Sequence, residues 1–125
     1  MEVRREDGGQ GPIVTGFSGR GFKVRDTVYS AGLLLSPLAA TAWDMPPALE
    51  ALSLQALGDL PAIDPIPEFL LLGTGTSLIQ PPRAFVRTLE EKGIGVEPMD
   101  SRAAARAWGV LRAEQRWIIA ALLPL

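Results

Sequence analysis

Beyond a polar start, hydrophobic and polar positions alternate in two different rhythms along the chain. From Ile13 to Trp43 the apolar stretches are short and cut by turn residues. Ile13 to Phe17 is followed by a Gly19-Arg20-Gly21 turn, Phe22 to Val24 by an Arg25-Asp26 turn, and Val28-Tyr29 and Leu33 to Leu35 complete the series before Pro37. Extended runs of this length, separated by Gly- and Asp-containing turns, predict an antiparallel β-meander. From Asp44 to Pro67 five prolines, at 46, 47, 61, 65 and 67, forbid long helices and central strands. Only 49–57 has room for a helix, and there Leu49, Leu52, Ala56 and Leu57 fall near helical spacing, predicting one short amphipathic helix.

From Glu68 the pattern becomes strand, helix, strand, helix, strand. Phe69 to Leu72 is an unbroken apolar run closed by Gly73, as in a strand covered on both faces. Pro82 suits the first turn of a helix whose inward stripe is Phe85, Val86 and Leu89 and whose stop is Gly93. Ile94 to Met99 is a second strand. Asp100 or Ser101 can cap the next helix, which gathers Ala104, Ala107, Trp108 and Leu111 on one side. Trp117 to Leu123 is seven apolar residues stopped by Pro124, short enough to be a third strand. Right-handed crossovers then give a parallel βαβαβ core, so the expected fold is an α/β, three-layer domain with an N-terminal meander and a parallel C-terminal core. Residues 1–11, polar and glycine-rich, are expected to form a disordered tail, and residues 12–125 a single domain.

Composition narrows the chemistry. The 125 residues contain no cysteine and no histidine. That excludes disulfides, thiolate metal sites and cysteine nucleophiles, and it removes the commonest general base and zinc ligand. Twelve basic against fourteen acidic residues leave a net charge of −2, which speaks against a nucleic-acid partner. No secretory hydrophobic segment is read at the start. The longest uncharged stretch, 27–43, is 17 residues interrupted by Ser30, Ser36, Pro37 and Thr41, short of the roughly 20 apolar residues of a membrane helix. A cytoplasmic protein without an integral membrane segment is the expectation. The exposed edge of a short mixed sheet could also pair with a second copy of the chain.

Ligands of open parallel sheets collect beyond the carboxyl ends of the strands, where helix N-termini present free N–H groups. That rule selects Gly73-Thr74-Gly75-Thr76-Ser77 and Met99-Asp100-Ser101. The first loop has the glycines and hydroxyls of an anion cradle, or of a tight strand exit whose hydroxyls satisfy nearby backbone. It lacks the lysine of a phosphate-binding loop, and Leu78 stands where a dinucleotide fingerprint needs its third glycine. Asp100 could be a base or a helix cap. Arg102 and Arg106 share a helix face and could receive an anion, stay solvated, or pair with Glu114 or Asp100. The candidate ligand-binding set is therefore Gly73, Thr74, Gly75, Thr76, Asp100, Ser101 and Arg106. Glu114 and Arg116 form a candidate structural ion pair in the turn into the last strand. No nucleophile stands beside a base, so no catalytic residue, metal or cofactor is assigned.

Three segments taken together resemble a known family: Leu70-Leu71-Leu72-Gly73-Thr74-Gly75, then Gly93 through Ser101 with its Glu97-Pro98-Met99-Asp100 core, then Ala104-Ala105-Arg106 through Leu111, Glu114, Arg116 and Ala120-Ala121-Leu122. The resemblance is to the small domain family that includes the mitochondrial NADH:ubiquinone oxidoreductase complex assembly factor 3, an adipogenesis-associated relative and many uncharacterised bacterial proteins. It extends upstream through Gly21-Phe22, Tyr29 to Pro37 and Trp43. It implies a three-layer α/β domain and a non-enzymatic accessory or assembly role through contacts with an unidentified protein partner, respiratory complex subunits among the candidates. The alternative is a small anionic-ligand-binding or hydrolytic domain with its site at the strand ends. Where the family usually carries a Thr-aromatic-Asn run, this chain has Ala107, Trp108 and Gly109, keeping the aromatic and losing the hydroxyl and amide.

Overall fold

The computed structural model describes residues 11–125. The expected tail over residues 1–11 falls outside them except at Gly11, whose φ is +74° and where a Cβ would collide with the Pro37 carbonyl oxygen. Eight strands and two α-helices follow: β1 (Val14–Ser18), β2 (Gly21–Val24), β3 (Thr27–Tyr29), β4 (Gly32–Leu35), β5 (Ala40–Trp43), β6 (Phe69–Gly73), α1 (Arg83–Glu91), β7 (Gly95–Met99), α2 (Ser101–Ala113) and β8 (Ile119–Leu122). They form an antiparallel sheet of order β1-β2-β3 and a mixed five-stranded sheet of order β5-β4-β8-β6-β7, in which β6 is parallel to both β7 and β8.

The α/β layering and the parallel core match the sequence reading, with one redistribution. The run Leu33–Leu35 leaves the meander, pairs antiparallel with β8, and brings β5 with it. The reason is burial. All four residues of β4 are buried, so this strand needs cover on both faces and sits inside the large sheet. The β1–β3 ribbon buries mainly Phe22 and Val24 and needs cover on one face only.

Two cores flank the large sheet. On one face Leu33, Leu35, Leu71, Ile118, Ala120 and Leu122 pack with Ala104 and Trp108 of α2 and with Phe22 and Val24 of the small sheet. On the other face Leu34, Leu70, Leu72, Ile119 and Ala121 pack with Phe85 and Leu89 of α1 and with Leu52 and Leu57. Neighbouring residues of one strand thus serve opposite cores, and each fully buried Leu contributes about 1.5–3 kcal/mol.

The short amphipathic helix expected over 49–57 is absent. In its place stand 3₁₀ turns at Leu49–Ala51 and Leu54–Leu57, with a further one at Leu60–Ala62, and extended backbone at Leu52 and Ser53 separates the first two. Leu52 and Leu57 are both buried against α1's side of the sheet. Five positions apart, they would lie about 140° from each other around an α-helix, so one regular helix could not deliver both inward.

Both helices end in the Schellman arrangement. Ile94 N–H donates to Leu89 O (3.0 Å) and Gly93 N–H to Glu90 O (3.0 Å), with Gly93 at φ +84°. In α2 Arg116 N–H donates to Leu111 O (3.0 Å) and Gln115 N–H to Arg112 O (2.8 Å), but the left-handed position, φ +61°, is held by Gln115.

Candidate functional site

The carboxyl ends of β6, β7 and β8 meet at one rim. Thr74 N–H donates to Met99 O (2.8 Å), Ser101 N–H to Gly75 O (2.7 Å) and Leu123 N–H to Gly73 O (2.9 Å). The Ser101 hydroxyl, fully buried, accepts from Gly75 N–H (2.9 Å) and donates to Leu123 O (2.7 Å), tying all three strand exits together. Thr74, also buried, contacts Ser77 O (2.6 Å) and Met99 O (3.1 Å) through Oγ1 and accepts from Ile79 N–H (3.1 Å). At Gly73 a Cβ would stand 2.7 Å from Ser101 Oγ and 2.9 Å from Leu122 Cδ2, so only glycine lets the α2 N-terminus approach this closely.

The structure therefore brings Gly73, Thr74, Gly75, Asp100 and Ser101 together, and their polar groups bond mainly to the backbone of the same rim, at Ser77, Ile79, Met99, Ala103 and Leu123. Asp100 Oδ1 accepts from Ala103 N–H (2.9 Å), the cap geometry of an N-terminal carboxylate. Thr76 is exposed at the loop's outer side. Arg106 is exposed on α2 and, among the described residues, makes no ion pair with Asp100 or Glu114. Its helical neighbour Arg102 lies with its guanidinium carbon 4.7 Å from the centre of the Phe17 ring, a cation–π contact joining α2 to the small sheet. No group of three or more acidic side chains placed to hold a metal ion occurs among the described residues.

The expected Glu114–Arg116 pair is replaced by another. Arg116 takes Glu68, 48 residues away at the start of β6, in a forked contact: Nη2 to Oε1 at 2.6 Å and Nε to Oε1 at 3.0 Å and Oε2 at 3.2 Å. Glu68 wins because the Schellman turn at Gln115 aims Arg116 at the neighbouring strand's entry, where Glu68 N–H also donates to Trp117 O (2.8 Å). The hydrogen bonds from Arg116 hold the Glu68 carboxyl below the usual carboxylate range, with the Trp117 N–H and the guanidinium charge acting in the same direction and burial opposing. Reciprocally, Glu68 raises the Arg116 pKa. Behind this clasp the buried Arg112 guanidinium, its pKa lowered by desolvation, donates to Arg116 O. Trp108, placed by the sequence pattern on the side of α2 that carries Ala104 and Leu111, is fully buried and donates Nε1–H to Pro12 O (2.8 Å).

Two grooves along α1 are lined by none of the candidate residues Gly73, Thr74, Gly75, Thr76, Asp100, Ser101 and Arg106. A groove of about 450 Å³ runs along α1 between Gln80, Pro81, Arg83, Val86, Arg87 and Glu90, and a more apolar one of about 310 Å³ continues past Gln80 to Leu49, Ile79 and Pro82. Sequence reasoning missed both. The available signal was the adjacent apolar pair Leu78-Ile79 in a loop bounded by glycine and proline, and both side chains are more than half exposed.

The architecture defines a three-layer α/β domain whose strand-end rim is built for closure. Residues 14–123 match the model of the family described as "Protein of unknown function (DUF498/DUF598)", and the chain belongs to that family. It is 34% identical over 125 residues to an uncharacterised protein of Rhodobacter capsulatus, covering 97% of this chain and 92% of that one. It is 27% identical to the Danio rerio NADH dehydrogenase (ubiquinone) 1 alpha subcomplex assembly factor 3, over 99% of this chain and 71% of the relative, in line with the resemblance read from the sequence. Among solved structures, a protein from Bordetella parapertussis superimposes with a TM-score of 0.79 at 32% identity, covering 91% of this chain and 96% of that one. No helix among the described residues is long and apolar enough to cross a membrane.

Proposed function

We propose that this chain is a non-enzymatic, cytoplasmic accessory domain that acts through protein–protein contacts during assembly of a larger complex, with respiratory complex I as that complex and residues 12–125 as the working unit. The observation that carries this reading is the similarity, over 99% of this chain and 71% of the relative, to a protein named as an assembly factor of NADH dehydrogenase. The geometry supports it: the Thr74 and Ser101 hydroxyls, the Gly75 amide and the Asp100 carboxylate are hydrogen-bonded within the fold at the strand ends. A domain that closes its own crevice offers its outer surface to partners instead.

The test is genetic and biochemical. Disrupting the gene in its native host should lower the amount of assembled NADH dehydrogenase on native gels, and re-expression of the wild-type chain should restore it. Capture of the tagged chain under mild crosslinking should enrich subunits of that complex above a mock bait. Unchanged assembly together with no enriched subunit would refute the proposal.

A further inference from the structure

The five-stranded sheet ends in two unlike edges, and the direction of each edge's free hydrogen-bonding groups can be traced from its ladders. Leu123 N–H donates to Gly73 O, so on β8 the residues flanking Leu122 serve β6, while Ala120 and Leu122 turn their groups toward β4. Their register partners Leu35 and Leu33 accordingly bond to β8, which leaves Gly32 and Leu34 to bond to β5. The partners of those two, Trp43 and Thr41, bond inward. The N–H and C=O groups of Ala40 and Ala42 therefore point out of the sheet. The hairpin closure agrees: Ser36 N–H donates to Ala39 O (2.9 Å), a hydrogen-bonded pair two steps from Leu34 and Thr41.

At the opposite edge Gly95 N–H donates to Glu68 O (3.2 Å) and Met99 O accepts from Thr74 N–H (2.8 Å), so Gly95, Glu97 and Met99 serve β6 and the outward positions are Val96 and Pro98. Pro98 has no N–H to offer, the usual blunting of an edge. Strand β5 carries no such device. Ala40-Thr41-Ala42 contains no charge and no proline, and its ends are flanked by two large, strongly exposed apolar side chains, Leu38 at 81% and Met45 at 91%.

We propose that β5 pairs antiparallel with β5 of a second copy about a two-fold axis at Thr41. Ala40 lies opposite Ala42 of the partner subunit, and the four outward donors and acceptors of each strand close four hydrogen bonds. A shift of one residue would set inward-turned groups against outward ones, so the alternation of the ladder excludes it. The occupant is a second copy because the edge is self-complementary: only an antiparallel neighbour of the same sequence brings Leu38 to the Met45 end of the other strand, at both ends at once. Asp44 falls opposite Leu38 of the partner subunit, so no like charges meet. The pairing is independent of the assembly role.

Sedimentation velocity of the full chain, from low micromolar to several hundred micromolar, tests this with two variants. Ala42→Pro removes an outward donor and leaves every bond to β4 in place. Thr41→Lys sets two ammonium groups against each other across the axis. The wild type is expected to reach twice the chain mass as concentration rises, and each variant to weaken self-association roughly tenfold or more. Circular dichroism at the lowest concentration checks that both variants are folded; if Ala42→Pro is not, Thr41→Lys decides alone. A wild type that stays monomeric throughout, or a dimer that survives Thr41→Lys, overturns the proposal.

Discussion

Replacing Ser101 with alanine removes one oxygen and unmakes two hydrogen bonds at the point where three strand ends converge. Gly75 N–H loses its acceptor at 2.9 Å and Leu123 O its donor at 2.7 Å. Net, each bond is worth about 1 kcal/mol, and a buried partner left unsatisfied costs about 1–3 kcal/mol. Gly75 is half-buried, so water can reach its amide. Leu123 is buried. The sum is a loss of about 2–3 kcal/mol, dominated by the stranded carbonyl. With a urea slope of about 1–3 kcal/mol per molar for a small domain, the unfolding midpoint should fall by roughly 0.7–3 M with the slope unchanged. Equilibrium urea unfolding followed by tryptophan fluorescence measures both quantities. A midpoint within about 0.3 M of wild type would refute the reasoning, because it would mean that the hydroxyl is not needed by the fold.

Two further outcomes follow from the turn into β8. Gln115 occupies a left-handed Schellman position without the freedom of glycine, so Gln115→Gly should stabilise the chain by about 0.5–1 kcal/mol and raise Tm by a few degrees in differential scanning calorimetry; no rise would mean that the turn relaxes the strain by itself. Because Arg116 depresses the Glu68 pKa, that carboxylate adds stability that is whole above the ordinary carboxylate range and is lost as pH falls through the lowered value. Glu68→Gln should melt below wild type at neutral pH and converge with it in acid. The pair is solvent-exposed, so the gap is small, and a gap that widens toward acid contradicts the assignment.

The parallel half of the fold was legible because periodicity and punctuation agreed there. Gly73 and Gly93 closed the elements that Leu70–Leu72 and Phe85–Leu89 defined, and Asp100 opened the one that Ala104–Leu111 defined. Two features were hidden by distance along the chain. The choice of β8 as neighbour for Leu33–Leu35 depends on which strand lacks cover, a property of the assembled sheet and not of those three residues. Arg116 finding Glu68 instead of Glu114 likewise depends on where β6 begins. At the candidate site Gly73, Thr74, Gly75, Asp100 and Ser101 come together while Thr76 and Arg106 stay exposed, and the sequence does not say whether Thr74 and Ser101 face a ligand or the backbone. That is decided by the approach of α2 over Gly73, which brings Ser101 into contact with Gly75 and Leu123 before any outside molecule could.

Pro98 has a bearing on how the molecule behaves when crowded. A ribbon that keeps its full set of outward groups along one flank and lacks a donor along the other receives a companion more readily on the first flank than on the second. Growth of this sheet past two copies through β7 is disfavoured, so concentrating the protein should yield pairs ahead of longer stacks. The residue that forfeits a donor on β7 acts as a stopper for the whole sheet.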